Sequence, residues 1–157
     1  MVWRALRHFG VGEREVEDAV QELFLVVHRK LAEGTEPEHR RAWLYGIAWR
    51  VAAAHRRKAR LREIPTSEVE PEPDSSRDPA RLLEQQKRLV RLDQALSSLP
   101  DEQRAVFVLY ELEELTMREI AQSLSCSINT AFSRLYAARR KVIDTLGLTV
   151  PEEVWTR

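Results

Sequence analysis

The chain has 157 residues, enough for one ordinary domain or two small ones, and 43% hydrophobic with 32% charged residues is typical of a helix-rich globular protein. No apolar run approaches the roughly 20 residues that span a membrane, no signal-peptide pattern opens the chain, and the lone Cys126 excludes a disulfide framework and a cysteine-based metal site. We therefore expect a cytoplasmic protein without membrane insertion.

The formal net charge of zero hides strongly charged segments. Residues 40–62 carry eight Lys and Arg with no acid, and residues 128–142 carry four. Residues 65–80 carry five acids against one arginine. Phosphate attraction acts over a screening length of about 10 Å, so two local basic stretches favour nucleic-acid binding. The alternative is that the charged stretches are solvated helix faces.

The first predicted helix covers residues 14–32. Its apolar residues recur at helical spacing and predict an inward stripe of Val16, Ala19, Val20, Leu23, Phe24, Val27 and Leu31. Leu25 and Val26 lie off this stripe beside acidic side chains, which indicates a surface for a protein partner. Another helix is expected from Arg40 to about Arg62, with a basic C-terminal half. Its predicted inward residues are Leu44, Ile47, Val51, Ala54 and Leu61.

The acidic, proline-bearing stretch at residues 65–78 is typical of a linker, so we predict a first unit at 1–64, a second unit at 79–146 and a tail at 147–157. In the second unit one helix is expected to end near Pro100 and another to begin at Asp101. The predicted apolar positions of the former are Leu82, Leu83, Leu89, Leu92 and Leu96. No segment alternates with period two, which predicts an all-α fold of two small helical domains.

Residues 116–141, TMREIAQSLSCSINTAFSRLYAARRK, predict a helix-turn-helix. Thr116 and Glu119 have the spacing of a capping box, and Ser127 can cap a second helix that Gly147 ends. The apolar stripe of that helix is Ile128, Ala131, Leu135, Ala138 and Val142. Its other side is polar and basic, as in helices that enter a DNA major groove.

The segment LSSLPDEQRAVFVLYELEELTMREIAQSLSCSINTAFSRLYAARRKV resembles domain four of the extracytoplasmic function sigma factors of bacterial RNA polymerase. DAVQELFLVVHRKL and AWLYGIA with its basic helix are similar to domain two of that family. The resemblance implies a factor that binds core RNA polymerase, reads the minus ten and minus thirty-five promoter elements and helps to melt the promoter. Because members of this family are commonly bound by anti-sigma factors, the resemblance also implies an anti-sigma factor as a partner.

The resemblance implies that the second helix of the helix-turn-helix reads the minus thirty-five element. The residues it assigns to DNA are Asn129, Thr130, Phe132, Ser133, Arg134, Arg139, Arg140 and Lys141. Phe132 would meet a thymine methyl group or, alternatively, complete the core. Arg134 would contact phosphate or guanine or, alternatively, form a salt bridge with a neighbouring helix.

In the first unit the resemblance implies a minus ten surface on the loop and helix after residue 33, where a base flipped from the non-template strand is captured. Its residues, here called the minus-ten set, are His39, Arg40, Arg41, Trp49, Arg50, Arg56, Arg57 and Arg60. Trp43 is predicted to be core, while Trp49 is the candidate for base stacking, or else partly buried. The implied polymerase contacts are Asp18, Gln21, Glu22 and Leu25.

Three departures from the family pattern concern promoter choice and the N-terminus. Only VWRALRHFG stands for the family's longer first helix, which indicates an N-terminally shortened chain, either through a misassigned start or through a real truncation. Trp49-Arg50 replaces the usual Arg-Asn, and Phe132 and Ala137 stand where the family often has Lys and Arg.

No nucleophile elbow, phosphate loop or histidine ligand spacing is present, so we predict no enzyme activity, no cofactor and no metal. Two other functions remain open. One is a sigma-like protein that binds polymerase or an anti-sigma factor as a decoy without opening promoters. The other is a plain helix-turn-helix regulator, against which the basic helix and the polymerase-binding pattern argue.

Overall fold

The computed structural model describes residues 1–62 and 79–148. Within them the chain is helical and contains no strand, which confirms the predicted all-α class. The α-helices are α1 (Val2–His8), α2 (Val16–Ala32), α3 (Arg40–Leu61), α4 (Pro79–Ser97), α5 (Asp101–Phe107), α6 (Met117–Ser123) and α7 (Ile128–Leu146). A single 3-10 turn precedes α2, and a π-type turn at Val108–Leu112 continues α5. The predicted linker at 65–78 and the tail beyond 148 lie outside the described residues.

The first unit packs α1, α2 and α3 against one another. Its fully buried side chains come from all of these helices and from the loop after α1, and include Leu6, Phe9, Val11, Val16, Leu23, Tyr45 and Ile47. Three residues predicted to face inward are exposed instead: Phe24 at 55%, Leu31 at 52% and Leu61 at 81%. Phe24 and Leu31 lie on α2, and the seven residues of α1, at about 1.5 Å per residue, cover only part of the length of that helix. Leu61 is exposed because it is the last residue of α3.

The second unit is organised around α7, which packs against α4, α5 and α6. The buried apolar side chains include Val106, Leu109, Ile120, Ala131, Leu135, Ala138 and Val142. Two predicted core positions are wrong, because Leu89 is 50% and Ile128 45% exposed. Among the α4 residues whose side chains the structure describes, Ala95 and Leu96 near the C-terminal end are buried, while the predicted core positions Leu82 and Leu83 lie outside those described side chains. Ile128 is the first residue of α7.

The two units pack against each other, chiefly through α3 and α6. The helices approach closely at Gly46, where a Cβ atom would lie 3.0 Å from the carbonyl oxygen of Ser123. The Ser123 hydroxyl donates to the carbonyl oxygen of Ala42 at 2.8 Å. A larger side chain at position 46 would therefore force the helices apart.

A buried arginine joins the units at a second point. Arg104, 7% exposed, donates to the carbonyl oxygens of Leu96 at 2.7 Å and Ser97 at 3.0 Å at the C-terminal end of α4, where the Leu96 oxygen also accepts from the backbone N–H of Leu99 at 3.1 Å. Its Nη1 atom also lies 3.5 Å from the carbonyl oxygen of Phe9 in the first unit. Burial is the main cause that lowers the pKa of Arg104.

Replacing Arg104 with alanine is expected to reduce the free energy of unfolding by about 3 kcal/mol, because buried carbonyl oxygens lose charged donors. Urea unfolding followed by circular dichroism measures this change. Arg88→Ala is the matched control: the Arg88 side chain is 76% exposed and, among the described residues, pairs with Glu84 alone, so the loss should stay within about 0.5 kcal/mol. Equal losses in the two variants would contradict the bridging role of Arg104.

Candidate nucleic-acid interface

The helix-turn-helix is present as predicted, and its first helix has a full capping box. The backbone N–H of Glu119 donates to the Thr116 hydroxyl at 3.3 Å, and the Glu119 carboxylate accepts from the Thr116 N–H at 2.9 Å. The Thr116 hydroxyl also donates to this carboxylate at 2.6 Å, and this bond is the main cause that lowers the pKa of Glu119. These bonds fix the point at which α6 begins.

The turn and both ends of α7 are also fixed by local geometry. Ser125 takes a positive φ of 53°, and the Ser127 hydroxyl accepts from the N–H of Thr130 at 3.0 Å. Gly147 ends the helix in the left-handed conformation with φ of 64°, which confirms the predicted C-terminal cap. Cys126 is half-buried in the turn. The orientation of α7 therefore follows from residues that the sequence already singled out.

Most residues assigned to the minus thirty-five element lie on the solvent side of α7. The exposed members are Asn129, Phe132, Ser133, Arg140 and Lys141. Phe132 is 49% exposed, so the alternative that it completes the core is wrong. Within the described residues neither Arg140 nor Lys141 forms an ion pair. This face combines donors, free positive charge and one aromatic ring.

Arg134 and Arg139 are half-buried and paired within the second unit. Arg134 Nη2 donates to Glu102 Oε2 at 2.8 Å. This contact is the salt bridge with a neighbouring helix that the sequence left open for Arg134. Arg139 Nε donates to Glu111 Oε1 at 2.6 Å, and its guanidinium lies 5.3 Å from the ring centroid of Tyr110. Thr130 is half-buried at the first turn of α7.

The minus-ten set lies on α3 and at its N-terminus, but its members face two directions. Arg40, Arg50 and Arg57 are exposed and, within the described part of the chain, form no ion pair. Arg41, Arg56 and Arg60 instead contact the second unit through Glu113 and Asp101. His39 Nδ1 lies 4.0 Å from Glu119 Oε1.

Trp49 is half-buried rather than an exposed platform. Its ring meets Phe9 edge to face, with centroids 5.7 Å apart, and the Arg56 guanidinium lies 4.6 Å from its centroid. Trp43, predicted to be core, is only partly buried. It lines a cavity of about 130 Å³ together with Pro37, His39 and Arg50, walled on one side by Gln122 of α6. The loop before α3 and the N-terminal half of that helix therefore form a concave surface.

The residues assigned to polymerase binding share one face of α2. Asp18, Gln21 and Leu25 are exposed, with Leu25 at 71%, while Glu22 is half-buried and its carboxylate lies 3.0 Å from His55 Nε2. The exposed Phe24 adds apolar surface beside them, and sequence reasoning missed it because it follows Leu23 within the helical stripe. Glu113 and Tyr45, which meet between the units, were missed as well.

Among the described helices, none combines the length and apolar character needed to cross a bilayer. Residues 1–62 and 79–148 also contain no group of three His, Cys, Asp or Glu side chains placed to hold a metal ion.

Comparison with known proteins identifies two matching family models, Sigma-70 region 2 over residues 1–62 and Sigma-70, region 4 over residues 89–142. The ECF RNA polymerase sigma-E factor of Escherichia coli K12 is 30% identical over 142 residues, covering 84% of this chain and 74% of that protein. The ECF RNA polymerase sigma factor SigE of Mycolicibacterium smegmatis is 29% identical over 148 residues, covering 93% of this chain and 57% of that protein. The chain thus spans little more than half the length of the latter relative.

Two solved structures have similar folds. The sigma factor RpoE in complex with the anti-sigma factor NepR, from Bartonella quintana, matches with a TM-score of 0.75 and 18% identity, covering 95% of this chain and 91% of that one. CnrH in complex with the cytosolic domain of CnrY matches with a TM-score of 0.67 and 26% identity, covering 93% of this chain and 80% of that one.

Replacing Thr116 with alanine should lower the free energy of unfolding by about 1 kcal/mol, because the N-terminal cap of α6 is lost. The matched control is Thr145→Ala, at an exposed position of α7 where the threonine hydroxyl donates to the Lys141 carbonyl oxygen of the preceding turn at 2.7 Å. There alanine should leave stability unchanged or slightly higher, because it is the better helix former. Chemical denaturation of both variants checks this difference in sign.

Proposed function

The chain belongs to the extracytoplasmic function group of the sigma-70 family, and we propose that it binds core RNA polymerase and directs it to promoters with separate minus ten and minus thirty-five elements. The observation that carries this proposal is the presence of region 2 and region 4 in one chain. The first unit would act as domain two and the second unit as domain four. The chain's role is recognition and promoter opening, without bond chemistry of its own.

The minus thirty-five element is assigned to the exposed face of α7. Asn129 and Ser133 offer hydrogen-bonding groups to base edges, while Arg140 and Lys141 neutralise phosphates. Thr130 lies beside them at the N-terminal turn. Arg134 and Arg139 would reach the DNA by exchanging Glu102 and Glu111 for phosphate oxygens, which replaces one charge-assisted pair with another.

The minus ten element is assigned to the loop before α3 and to the exposed cations of that helix. The cavity beside His39, Trp43 and Arg50 would receive a flipped base, and its aromatic wall supplies a stacking surface. Arg40 and Arg57 would hold the backbone on either side. In this arrangement Trp43 takes the stacking role, and Trp49 supports Arg56 from beneath.

Polymerase is assigned to the face of α2 that carries Asp18, Gln21, Glu22 and Leu25, extended by Phe24. An exposed apolar pair rimmed by acids is typical of a protein interface. One structural neighbour is a sigma factor in complex with an anti-sigma factor, and we propose that this chain too is controlled by such a partner.

Run-off transcription with purified core RNA polymerase tests the proposal, using promoter DNA selected from a random library by the chain and core enzyme together. We expect a product from one start site, and Leu25→Asp should weaken core binding at least tenfold by placing a charge in an apolar contact. The control variant Leu148→Asp, at an exposed leucine beyond α7, should leave core binding unchanged.

The two alternative functions give different results in this assay. Core binding without any product would identify a polymerase decoy. Specific DNA binding by a dimer in the absence of core enzyme would identify a plain helix-turn-helix regulator.

Phe132 is expected to recognise thymine through its 5-methyl group. Replacing thymine by deoxyuridine at the contacted position of the selected minus thirty-five element should weaken binding about fourfold, as for a buried methyl group worth ~0.8 kcal/mol. Phe132→Ala should bind both DNAs equally. Phe24→Ala, at an exposed phenylalanine on α2, should keep the fourfold ratio. A parent chain that is indifferent to deoxyuridine at every position would refute this reading.

A further inference from the structure

A further cavity of the first unit, here called the α2–α3 groove, lies between those two helices. It encloses about 460 Å³, against about 130 Å³ for the cavity beside Trp43. The apolar side chains that line it are Val26 of α2 and Ile47, Val51 and Ala54 of α3. Ile47 and Val51 are buried, so the core of the first unit fixes the floor of the groove. An apolar floor of this kind can pack against the flat face of a nucleobase.

Two cations stand on the rim of the α2–α3 groove. Lys30 of α2 is half-buried, and Arg50 of α3 is exposed. Within residues 1–62 and 79–148 neither side chain forms an ion pair or a hydrogen bond. The groove has one carboxylate, that of Glu22, whose Oε2 lies 3.0 Å from Nε2 of His55. Two cations against one carboxylate leave the rim positive, which favours an anionic ligand.

Arg50 connects this groove with the cavity assigned above to the flipped base. Its side chain lines both of them. On α3, Gly46 lines the cavity and Ala54 lines the groove, and each lies about one helical turn, roughly 5.4 Å, from Arg50. A single strand with one base in the cavity would therefore pass its next phosphate over Arg50 and present its next base to the groove.

We propose that the α2–α3 groove is a second nucleotide site, which takes the unpaired base next to the captured one on the same DNA strand. The apolar floor packs on this base, Arg50 binds the phosphate between the two bases, and Lys30 binds the phosphate that follows. The positive rim and the continuity with the first cavity favour DNA over a protein segment as the occupant. This inference rests on the proposed function, because it requires a strand already captured at the loop before α3.

Abasic scanning of the non-template strand tests the second site. The probe is a fluorescent fork-junction DNA with a double-stranded minus thirty-five element and a single-stranded minus ten element, bound by the chain assembled with core RNA polymerase. Each unpaired nucleotide is replaced in turn by an abasic one, and fluorescence anisotropy gives the dissociation constant. We expect about tenfold weaker binding at two neighbouring positions, because each loses the packing of one base while its phosphate stays. A loss at one position alone would overturn the proposal.

The variant Ala54→Leu fills the groove without changing its charge, and leucine is compatible with the helix. It should bind the intact probe about tenfold more weakly and become insensitive to the abasic nucleotide at the second position. The loss at the captured base should remain. The matched control is Ala32→Leu, at the exposed last residue of α2 and outside the lining of both cavities, which should keep both losses. An Ala54→Leu chain that also keeps both losses would overturn the second site.

The variant Lys30→Ala tests the phosphate contact and leaves the apolar floor intact. The plot of log binding constant against log salt concentration should become less steep by about 0.7, the value for one phosphate of a single strand. Core binding in the absence of DNA should be unchanged. Lys87→Ala, at an exposed lysine of α4, is the control and should keep the slope of the parent chain.

Two results with Lys30→Ala would contradict the proposal. An unchanged salt dependence would remove Lys30 from the DNA path. Weaker core binding with an unchanged abasic profile would assign the α2–α3 groove to polymerase.

Failure of the proposed function gives a different pattern. A chain that does not read promoters would show no loss at any abasic position and no promoter-directed product in run-off transcription. If the second site alone is wrong, the loss at the captured base persists by itself.

Discussion

The structure depends on one crowded point at which two buried guanidinium groups, of Arg56 and Arg104, meet the carbonyl oxygen of Phe9. Their mutual repulsion and their burial both oppose the charged form of Arg104, and Asp101 offsets part of that cost. The backbone next to this carbonyl turns at Gly10 with φ of +89°, where a Cβ would lie 2.1 Å from Arg104 Nη1. The positive φ favours glycine at this position, and a Cβ there would require the Arg104 guanidinium to move.

From that point the contact extends along α3. The Gly46–Ser123 crossing and the Glu113–Tyr45 bond continue the same interface toward the N-terminus of the helix. The interface is rich in charge, and a buried ion pair contributes little net stability because desolvation offsets attraction. Such a contact specifies one arrangement of the units without making it difficult to undo.

The helices and their caps were predictable from local sequence because their causes are local. The Thr116–Glu119 capping box, the Ser127 cap and the Gly147 terminus each involve residues a few positions apart. The errors were at positions decided by distant packing: Phe24, Leu31 and Leu61 follow the helical period, but none of the helices that the structure describes covers them. The pairing of Glu113 with Tyr45 joins residues 68 positions apart and has no sequence signal. The position of Gly46 inside a predicted helix was the one available hint of a close crossing.

The balance of 25 basic and 25 acidic residues acquires a physical meaning in this arrangement. Several cations assigned to DNA are paired with carboxylates of the second unit: Arg41 with Glu113, Arg56 and Arg60 with Asp101, Arg134 with Glu102, and Arg139 with Glu111. The pairs of Arg41, Arg56 and Arg60 join the two units, whereas those of Arg134 and Arg139 lie within the second unit. Attraction to phosphate scales with the number of cations that are free to neutralise it. The local positive charge of α3 and α7 is therefore lower than their basic sequences alone indicate.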